Sequence, residues 1–310
     1  MLGMRRTCGM VLKELAISNS NIIIATADMA RYFGGEAYSR DIPDQFVDVG
    51  IAEQNLIGVA AGMAKEGYTV FAESYATFIT SRCLDQIRMN MGYMELPIKL
   101  IGVGGGLSDG RFGPSHMALE DIANLRVIPG ITILSPADCA ELTLMLEKVV
   151  DYDKPTYIRL TGGAECPIVF DSSFEFEIGK ANCIIDGKEI AIIATGTMVA
   201  CGIEVVNLLE KNGYSAKLID MHTLTPLDKD SINELMDYKL IVTMEEHMIN
   251  GGLGSAVSEY LVTQKKHPVQ MFVGIRDGYP KTRDYKELLN VSNFGAEQIA
   301  NNIIKKLMEI

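Results

Sequence analysis

The sequence predicts an α/β protein with two doubly wound domains, each built on a mostly parallel sheet. Short β-branched runs alternate with stretches of helical pattern along the whole chain, as is typical of this class. The length of 310 residues suggests about two domains of roughly 150 residues each. Glycines, a proline and serines break the alternation after residue 160. We therefore expect domains at 1–165 and 179–310, joined by a linker at 166–178.

Six apolar runs in the first domain predict the strands of one sheet. They are residues 21–26, 46–49, 68–71, 98–103, 131–134 and 156–160, and the last is expected to close this unit. The segments between them predict helices that end near residue 17 and span about 52–65 and 81–93. A further helix is expected after residue 138, because Ser135 and Asp138 are both residue types that favour an N-cap.

The second domain repeats the alternation of apolar runs and helical stretches. Its predicted strands are residues 190–194, 216–220, 240–243 and 269–273. Its predicted helices span about 198–212, 229–236, 251–264 and 295–307. Because the strands are nearly continuous apolar runs, we expect helices to cover both faces of this sheet.

The composition excludes several classes of function. The 28 Lys and Arg residues against 40 Asp and Glu give a formal charge of −12, which argues against non-specific nucleic-acid binding. The sequence contains no run of 18 apolar residues and no secretory signal core, so we expect a cytoplasmic protein. The six cysteines form no CxxC pair and the four histidines no HExxH motif, so we expect no metal site in this chain.

The stretch from Asp48 to Ala64 is the most informative part of the sequence. A strand ends there, Gly50 turns the chain, and a helix opens with Glu53 in its first turn. The small residues Gly58, Ala60, Ala61, Gly62 and Ala64 let another backbone approach closely, so we expect this helix to be buried at an interface. Glu53 is either a helix-start carboxylate stabilised by the helix dipole or a buried carboxylate that shares a proton with a ligand nitrogen.

Four segments of the sequence resemble those of a known family. They are DVGIAEQNLIGVAAGMA at 48–64, FAESYATFITSRCLDQIR at 71–88, GRFGPSHMALEDIANLRVIPGITILSPADCAE at 110–141 and TMEEHMINGGLGSAVSEYL at 243–261. The first is similar to the glutamate motif of thiamine-diphosphate enzymes in the transketolase superfamily. The others resemble that family's aromatic segment, the loop, helix and strand that follow it, and its C-terminal domain. The chain therefore resembles the C-terminal half of a transketolase, with a pyrimidine-binding domain and a C-terminal domain.

The resemblance implies roles for residues around a thiamine-diphosphate cofactor. Glu53 matches the glutamate that hydrogen-bonds N1′ of the aminopyrimidine ring and so assists proton loss from C2 of the thiazolium ring. Tyr75 and Phe78 match the two aromatic residues of the ring pocket, with Phe78 stacking on the ring; ordinary core aromatics are the alternative. Asp28 matches an acid near the thiazolium side, or caps a helix. Ile51, in the glutamate motif, is also expected at the cofactor.

Two further residues match the substrate side of the family's active site. His116 corresponds to a histidine that contacts substrate and transfers protons, a role that suits imidazole; the alternative is a loop histidine without a role. Arg5 corresponds to an arginine on the phosphate side. His247, after two glutamates in the second domain, is interpreted as a structural or interface residue.

The family's diphosphate-binding and magnesium-binding domain, marked by GDG and a downstream Asn, has no counterpart here because no GDG occurs in the sequence. The resemblance therefore implies a split enzyme that is active only with a separate chain carrying that domain. The cofactor would lie between the two chains, magnesium would be bound by the partner chain, and the expected assembly is an α2β2 heterotetramer.

Three positions depart from the transketolase pattern. Gly104 stands where the family has a histidine, Arg111 and Phe112 stand where it has an acid, and Gly162 stands where it has a phosphate-binding arginine. The resemblance implies transfer of a two-carbon ketol unit from a ketose donor to an aldose acceptor. Since phosphate recognition needs fixed donors, we expect the sugar to be unusual or modified. The alternatives are a deoxyxylulose-phosphate-synthase-like or 2-oxoacid-dehydrogenase-beta-like subunit acting on a 2-oxo acid, and a non-catalytic scaffold subunit.

Overall fold

The computed structural model describes residues 3–33, 35–164, 166–276 and 278–310. Its strands are β1 Ile22–Thr26, β2 Phe46–Asp48, β3 Thr69–Tyr75, β4 Lys99–Val103, β5 Thr132–Leu134, β6 Thr156–Leu160, β7 Asn182–Ile185, β8 Ile190–Ala194, β9 Ala216–Asp220, β10 Thr223–Thr225, β11 Leu240–Met248 and β12 Val269–Ile275. They form a seven-stranded and a five-stranded sheet, so the predicted two-sheet α/β fold is confirmed.

Helices cover both sheets. They are α1 Met4–Ser18, α2 Tyr38–Asp41, α3 Glu53–Lys65, α4 Leu84–Ile87, α5 Asp121–Arg126, α6 Cys139–Val150, α7 Met198–Lys211, α8 Lys229–Asn233, α9 Leu253–Leu261, α10 Tyr285–Val291 and α11 Ala296–Glu309. The N-cap of α6 is Asp138, whose Oδ1 accepts hydrogen bonds from the backbone N–H groups of Ala140 and Glu141 at 2.9 Å each. Within the described residues, no helix is long and apolar enough to cross a membrane.

The first sheet has the strand order β10-β5-β6-β4-β3-β1-β2. Every neighbouring pair is parallel except β10 with β5. The prediction that residues 156–160 close this unit is therefore wrong, because β10 comes from the second half of the chain. β10 has only three residues, too few to show an apolar periodicity in the sequence, and it forms as an edge strand by pairing with β5.

The second sheet has the order β12-β11-β8-β9-β7, with β7 antiparallel to β9 and the rest parallel. The edge strand β7 was not predicted from the sequence. Between β6 and β7 the described residues form no helix or strand, and the predicted domain limits within this stretch stay a prediction.

Two strands extend by at least four residues beyond the ends that the sequence predicts. β3 continues to Tyr75 and β11 to Met248, beyond the expected ends at residues 71 and 243. The extensions contain carboxylates, Glu73 in β3 and Glu245 with Glu246 in β11, and the structure buries all three. Because a charged residue normally ends an apolar run, these buried acids made the predicted strands end too early.

The two halves of the molecule share one continuous apolar core. Ile133 and Tyr157 from the first sheet belong to the same buried cluster as Ile193 and Ile219 from the second sheet and Leu224 from β10. The second sheet is thus packed against the first over buried apolar surface, and its loops reach the loops of the first.

Candidate active site

Four adjacent parallel strands, β4, β3, β1 and β2, end at the same edge of the first sheet. The segments that follow them carry residues singled out from the sequence: Asp28 after β1, Glu53 after β2, Phe78 after β3 and His116 after β4. Binding sites of open α/β sheets lie at the carboxyl ends of their strands. This edge is therefore the candidate active site.

Asp48 orders the turn that leads into α3. Its Oδ1 accepts hydrogen bonds from the backbone N–H groups of Asp28 at 3.0 Å and of Gly50 at 2.8 Å. Gly50 has a φ of +71°, and Asp28 has a φ of +59°, which is uncommon for a residue with a side chain. No helix begins at Asp28 in the described residues, since turns follow it through Phe33, so Asp28 is an exposed turn residue and not a helix cap.

Glu53 is buried at the first position of α3, with its side chain 4% exposed. Its Oε2 accepts a hydrogen bond from Nη1 of Arg82 at 2.7 Å. The guanidinium carbon of Arg82 lies 4.4 Å from the ring centroid of Phe78, while 46% of the Arg82 side chain is exposed. A buried carboxylate thus faces a planar cation that lies over an aromatic ring.

His116 lies among three aromatic rings. The centroids of Tyr75, Phe78 and Phe112 are each 5.1 Å from the centroid of its imidazole. Ser115 Oγ lies 3.0 Å from His116 Nδ1. Because Phe78 touches both the His116 ring and the Arg82 guanidinium, contacts connect His116 to Glu53 without a break.

The helix predicted over about 81–93 begins earlier in the structure, at Phe78, and is less regular. It is a π-turn at Phe78–Arg82, the short helix α4, and a second π-turn at Arg88–Tyr93. Wide turns of this kind occur often at functional sites because they shift side chains relative to a regular helix. Here the first π-turn carries both Phe78 and Arg82.

Arg5, on α1, lies at the same aromatic cluster. Its Nη1 is 3.6 Å from Oδ1 of Asp109, and its Cζ is 5.7 Å from the ring centroid of Tyr32. Tyr32 in turn packs edge-on against Tyr75 at 5.4 Å. Burial and the hydrogen bond with Tyr32 raise the pKa of Tyr75, which keeps it a neutral phenol. Arg5 is paired with a carboxylate, so an anionic ligand there has to compete with Asp109.

The small residues of α3 lie on two sides of the helix, and its predicted burial at an interface stays a prediction. Within this chain the side of α3 with Gly58 and Gly62 is open, and a Cβ added at either glycine would meet nothing within 4 Å. The opposite side, with Leu56 and Ala60, is buried in the core. Ile51, just before the helix, is 78% exposed. Gly58 and Gly62 therefore border open space, whereas Ala60, Ala61 and Ala64 are buried within this chain.

Two of the departures from the family pattern occupy conformations that favour glycine. Gly104 has a φ of +72°, and a Cβ there would lie 2.5 Å from Oδ2 of Asp109. Gly162 has a φ of +87°, and a Cβ there would lie 2.9 Å from Cγ2 of Thr197. A histidine or arginine at these positions would need a rearranged backbone. The carboxylate of Asp109 takes up the space next to Gly104.

The loop between β4 and α5, which contains His116, is attached to the second sheet by buried polar contacts. Glu246 accepts hydrogen bonds from the backbone N–H of Leu107 at 2.5 Å and from the hydroxyl of Tyr285 at 2.7 Å. The backbone N–H of Met248 donates to the carbonyl of Leu119 at 2.9 Å. β11 therefore fixes both ends of this loop.

Arg159, from β6, completes the attachment. Its side chain is 1% exposed and donates hydrogen bonds to Asp121 at 2.7 Å and to the carbonyls of Ala118 and Glu246 at 3.0 Å each. His247 is buried 3.9 Å from Asp121, and burial lowers its pKa to about 4. This buried position agrees with the structural alternative in the interpretation of His247 as a structural or interface residue.

A polar cleft of about 460 Å³ opens beside His116. It lies between the Phe78 turn and the His116 loop, and its lining includes Thr77, Ser81, Ser115, Glu120 and Tyr279. The hydroxyl of Tyr279 donates a hydrogen bond to Glu120. Among the residues that the structure describes, no group of three or more His, Cys, Asp or Glu side chains could hold a metal ion.

Sequence reasoning missed four residues of the cluster as site components: Arg82, Tyr32, Asp109 and Phe112. Arg82 lies in the aromatic segment quoted above, and Phe112 was noted only as a departure from a pattern. No sequence signal points to Tyr32 or Asp109, because their contacts are with residues distant in the chain.

Both halves of the chain match family descriptions. Residues 1–164 match "Transketolase, pyrimidine binding domain" and residues 179–299 match "Transketolase, C-terminal domain". A protein of Methanocaldococcus jannaschii named as a transketolase C-terminal section is 33% identical over 98% of this chain and 96% of its own length. An apulose-4-phosphate transketolase subunit of Phocaeicola vulgatus is 36% identical over 89% of this chain and 88% of its own.

A 1-deoxy-D-xylulose-5-phosphate synthase of Caldanaerobacter subterraneus is 32% identical over 97% of this chain, but only 48% of that enzyme is covered. Among solved structures, a split-gene transketolase described as an inactive beta4 tetramer has a TM-score of 0.89 and 33% identity, over 99% of this chain and 98% of its own. The chain therefore belongs to the transketolase family and corresponds to the C-terminal half of a split transketolase, with its pyrimidine-binding and C-terminal domains.

Proposed function

We propose that this chain is the pyrimidine-binding subunit of a thiamine-diphosphate-dependent transketolase. The enzyme would transfer a two-carbon ketol unit from a ketose donor to an aldose acceptor. The observation that carries the proposal is the pair of Glu53 and Phe78, a buried carboxylate next to an aromatic face at the carboxyl edge of the sheet. In this structure the guanidinium of Arg82 contacts both the carboxylate of Glu53 and the ring of Phe78.

The residues fit the aminopyrimidine ring of that cofactor. The ring is flat, carries an exocyclic amino group, and gains a positive charge when it is protonated. In this structure the carboxylate of Glu53 and the face of Phe78 bind the guanidinium of Arg82, which is also a flat, positively charged N–H donor. The carboxylate of Glu53 and the ring of Phe78 therefore suit the aminopyrimidine in charge, shape and hydrogen-bonding character.

Glu53 would hold a proton between its Oε2 and the ring nitrogen. Its burial excludes water, which strengthens a hydrogen bond to a charged group. Phe78 would orient the ring by stacking, and Tyr75 would support Phe78 from the side. When bound, thiamine diphosphate supplies an electron sink for cleavage of the carbon–carbon bond beside a ketone. Ile51 and Asp28, both exposed at this edge, would complete the contact with the cofactor.

His116 would move protons at the sugar hydroxyls. It faces the aromatic cluster, and the polar cleft beside it offers hydroxyl and carboxylate groups that suit a polyhydroxylated substrate. Arg5 would contact an acidic group of the sugar only if that group displaces the carboxylate of Asp109 from the guanidinium. Together with the glycines at positions 104 and 162, this favours an unusual or modified sugar. The related Phocaeicola vulgatus protein is named for apulose 4-phosphate, which supports that choice.

The remaining parts of the enzyme would come from a second chain. We propose that the diphosphate and magnesium are bound by a separate N-terminal-half subunit, and that two copies of each chain form an α2β2 heterotetramer. The exposed Ile51 and the open side of α3 at Gly58 and Gly62 support a large contact at this edge. The inactive tetramer of the related split transketolase, built of one kind of chain, also supports this. The cytoplasm remains our proposed location, and the six cysteines are all thiols.

The test is reconstitution with the chain encoded next to this gene, provided that it carries GDG and a downstream Asn. The pair, with thiamine diphosphate and Mg²⁺, is assayed for ketol transfer over a panel of phosphorylated, sulfonated and branched ketoses. We expect activity with the native pair, and a loss of at least about 100-fold for Glu53→Gln.

The matched control is Glu147→Gln, at an exposed glutamate of α6, which should retain full activity. Full activity of Glu53→Ala would favour the scaffold alternative. Full activity with xylulose 5-phosphate and ribose 5-phosphate alone would reject an unusual sugar but not the ketol transfer.

A further inference from the structure

Arg82 occupies both groups that the proposed function assigns to the cofactor's ring. Its Nη1 donates to Glu53 Oε2 at 2.7 Å, and its Cζ lies 4.4 Å from the centroid of Phe78. A guanidinium is planar, cationic and rich in N–H donors. These are the properties that a protonated aminopyrimidine presents to a carboxylate and a ring face. The guanidinium and that ring therefore cannot use Glu53 and Phe78 at the same time.

We infer that Arg82 is a placeholder: its side chain satisfies Glu53 in the cofactor-free chain and leaves Glu53 and Phe78 when the aminopyrimidine ring binds. The inference rests on the proposed function, because it takes the ring to be the competing occupant. It adds a residue of this chain that controls how tightly and how fast the cofactor binds.

The different burial of the two partners explains why the exchange is feasible. Glu53 is 4% exposed, so its charge without a partner would be strongly destabilising. Arg82 is 46% exposed, so its released guanidinium can be solvated at little cost. The pair therefore protects the buried carboxylate, while the arginine loses little when another cation replaces it.

The backbone of Arg82 can stay in place during this exchange. Its carbonyl accepts a hydrogen bond from Nε2 of Gln54 at 3.1 Å, and the residue ends the π-turn that begins at Phe78. Only side-chain torsions need to change, because 46% of the Arg82 side chain is already exposed to solvent. Side-chain rotation of an exposed residue is fast compared with loop motion.

The first test measures cofactor affinity. Thiamine diphosphate is titrated calorimetrically, at saturating Mg²⁺, into the reconstituted two-chain enzyme with Arg82, Arg82→Ala or Arg82→Gln. Loss of the competing pair should lower the Kd by about 3- to 10-fold. Arg88→Ala, at an exposed arginine of the same segment, should leave the Kd unchanged and serves as the charge control. An unchanged or higher Kd for both Arg82 variants would overturn the inference.

The second test uses the full chain without cofactor. Arg82→Ala should lower its melting temperature by roughly 2–4 °C, and it should have no such effect in a Glu53→Gln background, where the pair no longer exists. An equal effect in both backgrounds would show that Arg82 acts elsewhere. A third outcome is that the wild-type two-chain enzyme binds no thiamine diphosphate while Arg82 and Glu53 still show this coupling. That result would reject the proposed function and also the placeholder, and the contact between Arg82 and Glu53 would then only stabilise the fold.

Discussion

The buried ion pair between Arg159 and Asp121 should be one of the largest single contributions to stability in this chain. Replacing Arg159 with Met keeps most of the side-chain volume and removes the charge. Asp121 has no exposed side-chain surface and, among the described residues, would then retain only the hydroxyl of Tyr157 as a hydrogen-bond donor, at 2.7 Å. The carbonyls of Ala118 and Glu246 would each lose a donor at 3.0 Å.

Breaking a buried pair from one side costs about 3–5 kcal/mol, since it leaves an uncompensated charge. We expect Arg159→Met to lower the free energy of unfolding by that amount, measured from urea midpoints. Arg283→Met is the matched control, because Arg283 and Glu287 form an exposed pair at 3.6 Å with side chains 48% and 62% exposed. That change should alter stability by less than about 0.5 kcal/mol.

The pH dependence gives a second readout of the same change. Burial opposes the charge of Asp121, but the charges and hydrogen bonds of Arg159 and its neighbours outweigh burial, so the pKa of Asp121 is below its usual value. The native pair therefore stabilises the fold above the unfolded-state pKa, and this contribution is lost as the pH falls. In Arg159→Met burial would dominate and the pKa of Asp121 would rise, so stability would fall as the pH increases from about 4 towards the raised pKa.

Two outcomes would contradict this account of the pair. A loss below about 1 kcal/mol in Arg159→Met would mean that Asp121 is not dependent on the arginine. A double variant, Asp121→Leu with Arg159→Met, should recover part of the lost stability because neither charge remains. If the double variant is less stable than Arg159→Met, the polar contacts to Ala118 and Glu246, and not the unpaired charge, dominate.

Three further outcomes are expected. Burial raises the pKa of Glu73 well above its usual value, so the native stability decreases as the pH rises from about 4 towards that pKa; Glu73→Gln should flatten this part of the urea-midpoint profile, and an unchanged slope would contradict the assignment. A hydrogen bond from Cys166 lowers the pKa of Cys139 to about 7, so iodoacetamide should label Cys139 near neutral pH and more slowly in Cys166→Ala, which removes the donor; equal rates would contradict the contact. His116→Asn should lower the kcat of the reconstituted enzyme by about 100-fold or more and leave the calorimetric Kd for thiamine diphosphate unchanged, whereas a weaker Kd with normal kcat would assign the residue to cofactor binding.

Much of the fold was predictable because both sheets consist mainly of buried parallel strands. Such strands read as short apolar runs, and the alternation with helices then implies their parallel arrangement. The helix at Glu53 was predicted to within one residue of its start, since a turn glycine and an acidic first turn mark it locally. The strands that were missed, β7 and β10, are edge strands with antiparallel partners, and edge pairing depends on a distant neighbour.

The candidate site divides in the same way. Glu53, Tyr75, Phe78 and His116 could be named from motifs that are continuous in sequence. The role of Arg82 could not, although it lies only four residues after Phe78. Its position depends on a π-turn, and the same spacing in a regular helix would direct the side chain elsewhere.

Local patterns along the chain were enough to establish the class of the fold, the family resemblance and the set of chemically capable residues. They could not establish which charges face one another: Arg5 with Asp109, Arg82 with Glu53, and Arg159 with Asp121. Glu53 and Arg82 come from segments that follow different strands, Arg159 from β6 and Asp121 from α5, and Arg5 and Asp109 from α1 and a distant loop. Coulomb energy depends on distance and burial, and both are set by the tertiary arrangement of these elements, not by spacing along the chain.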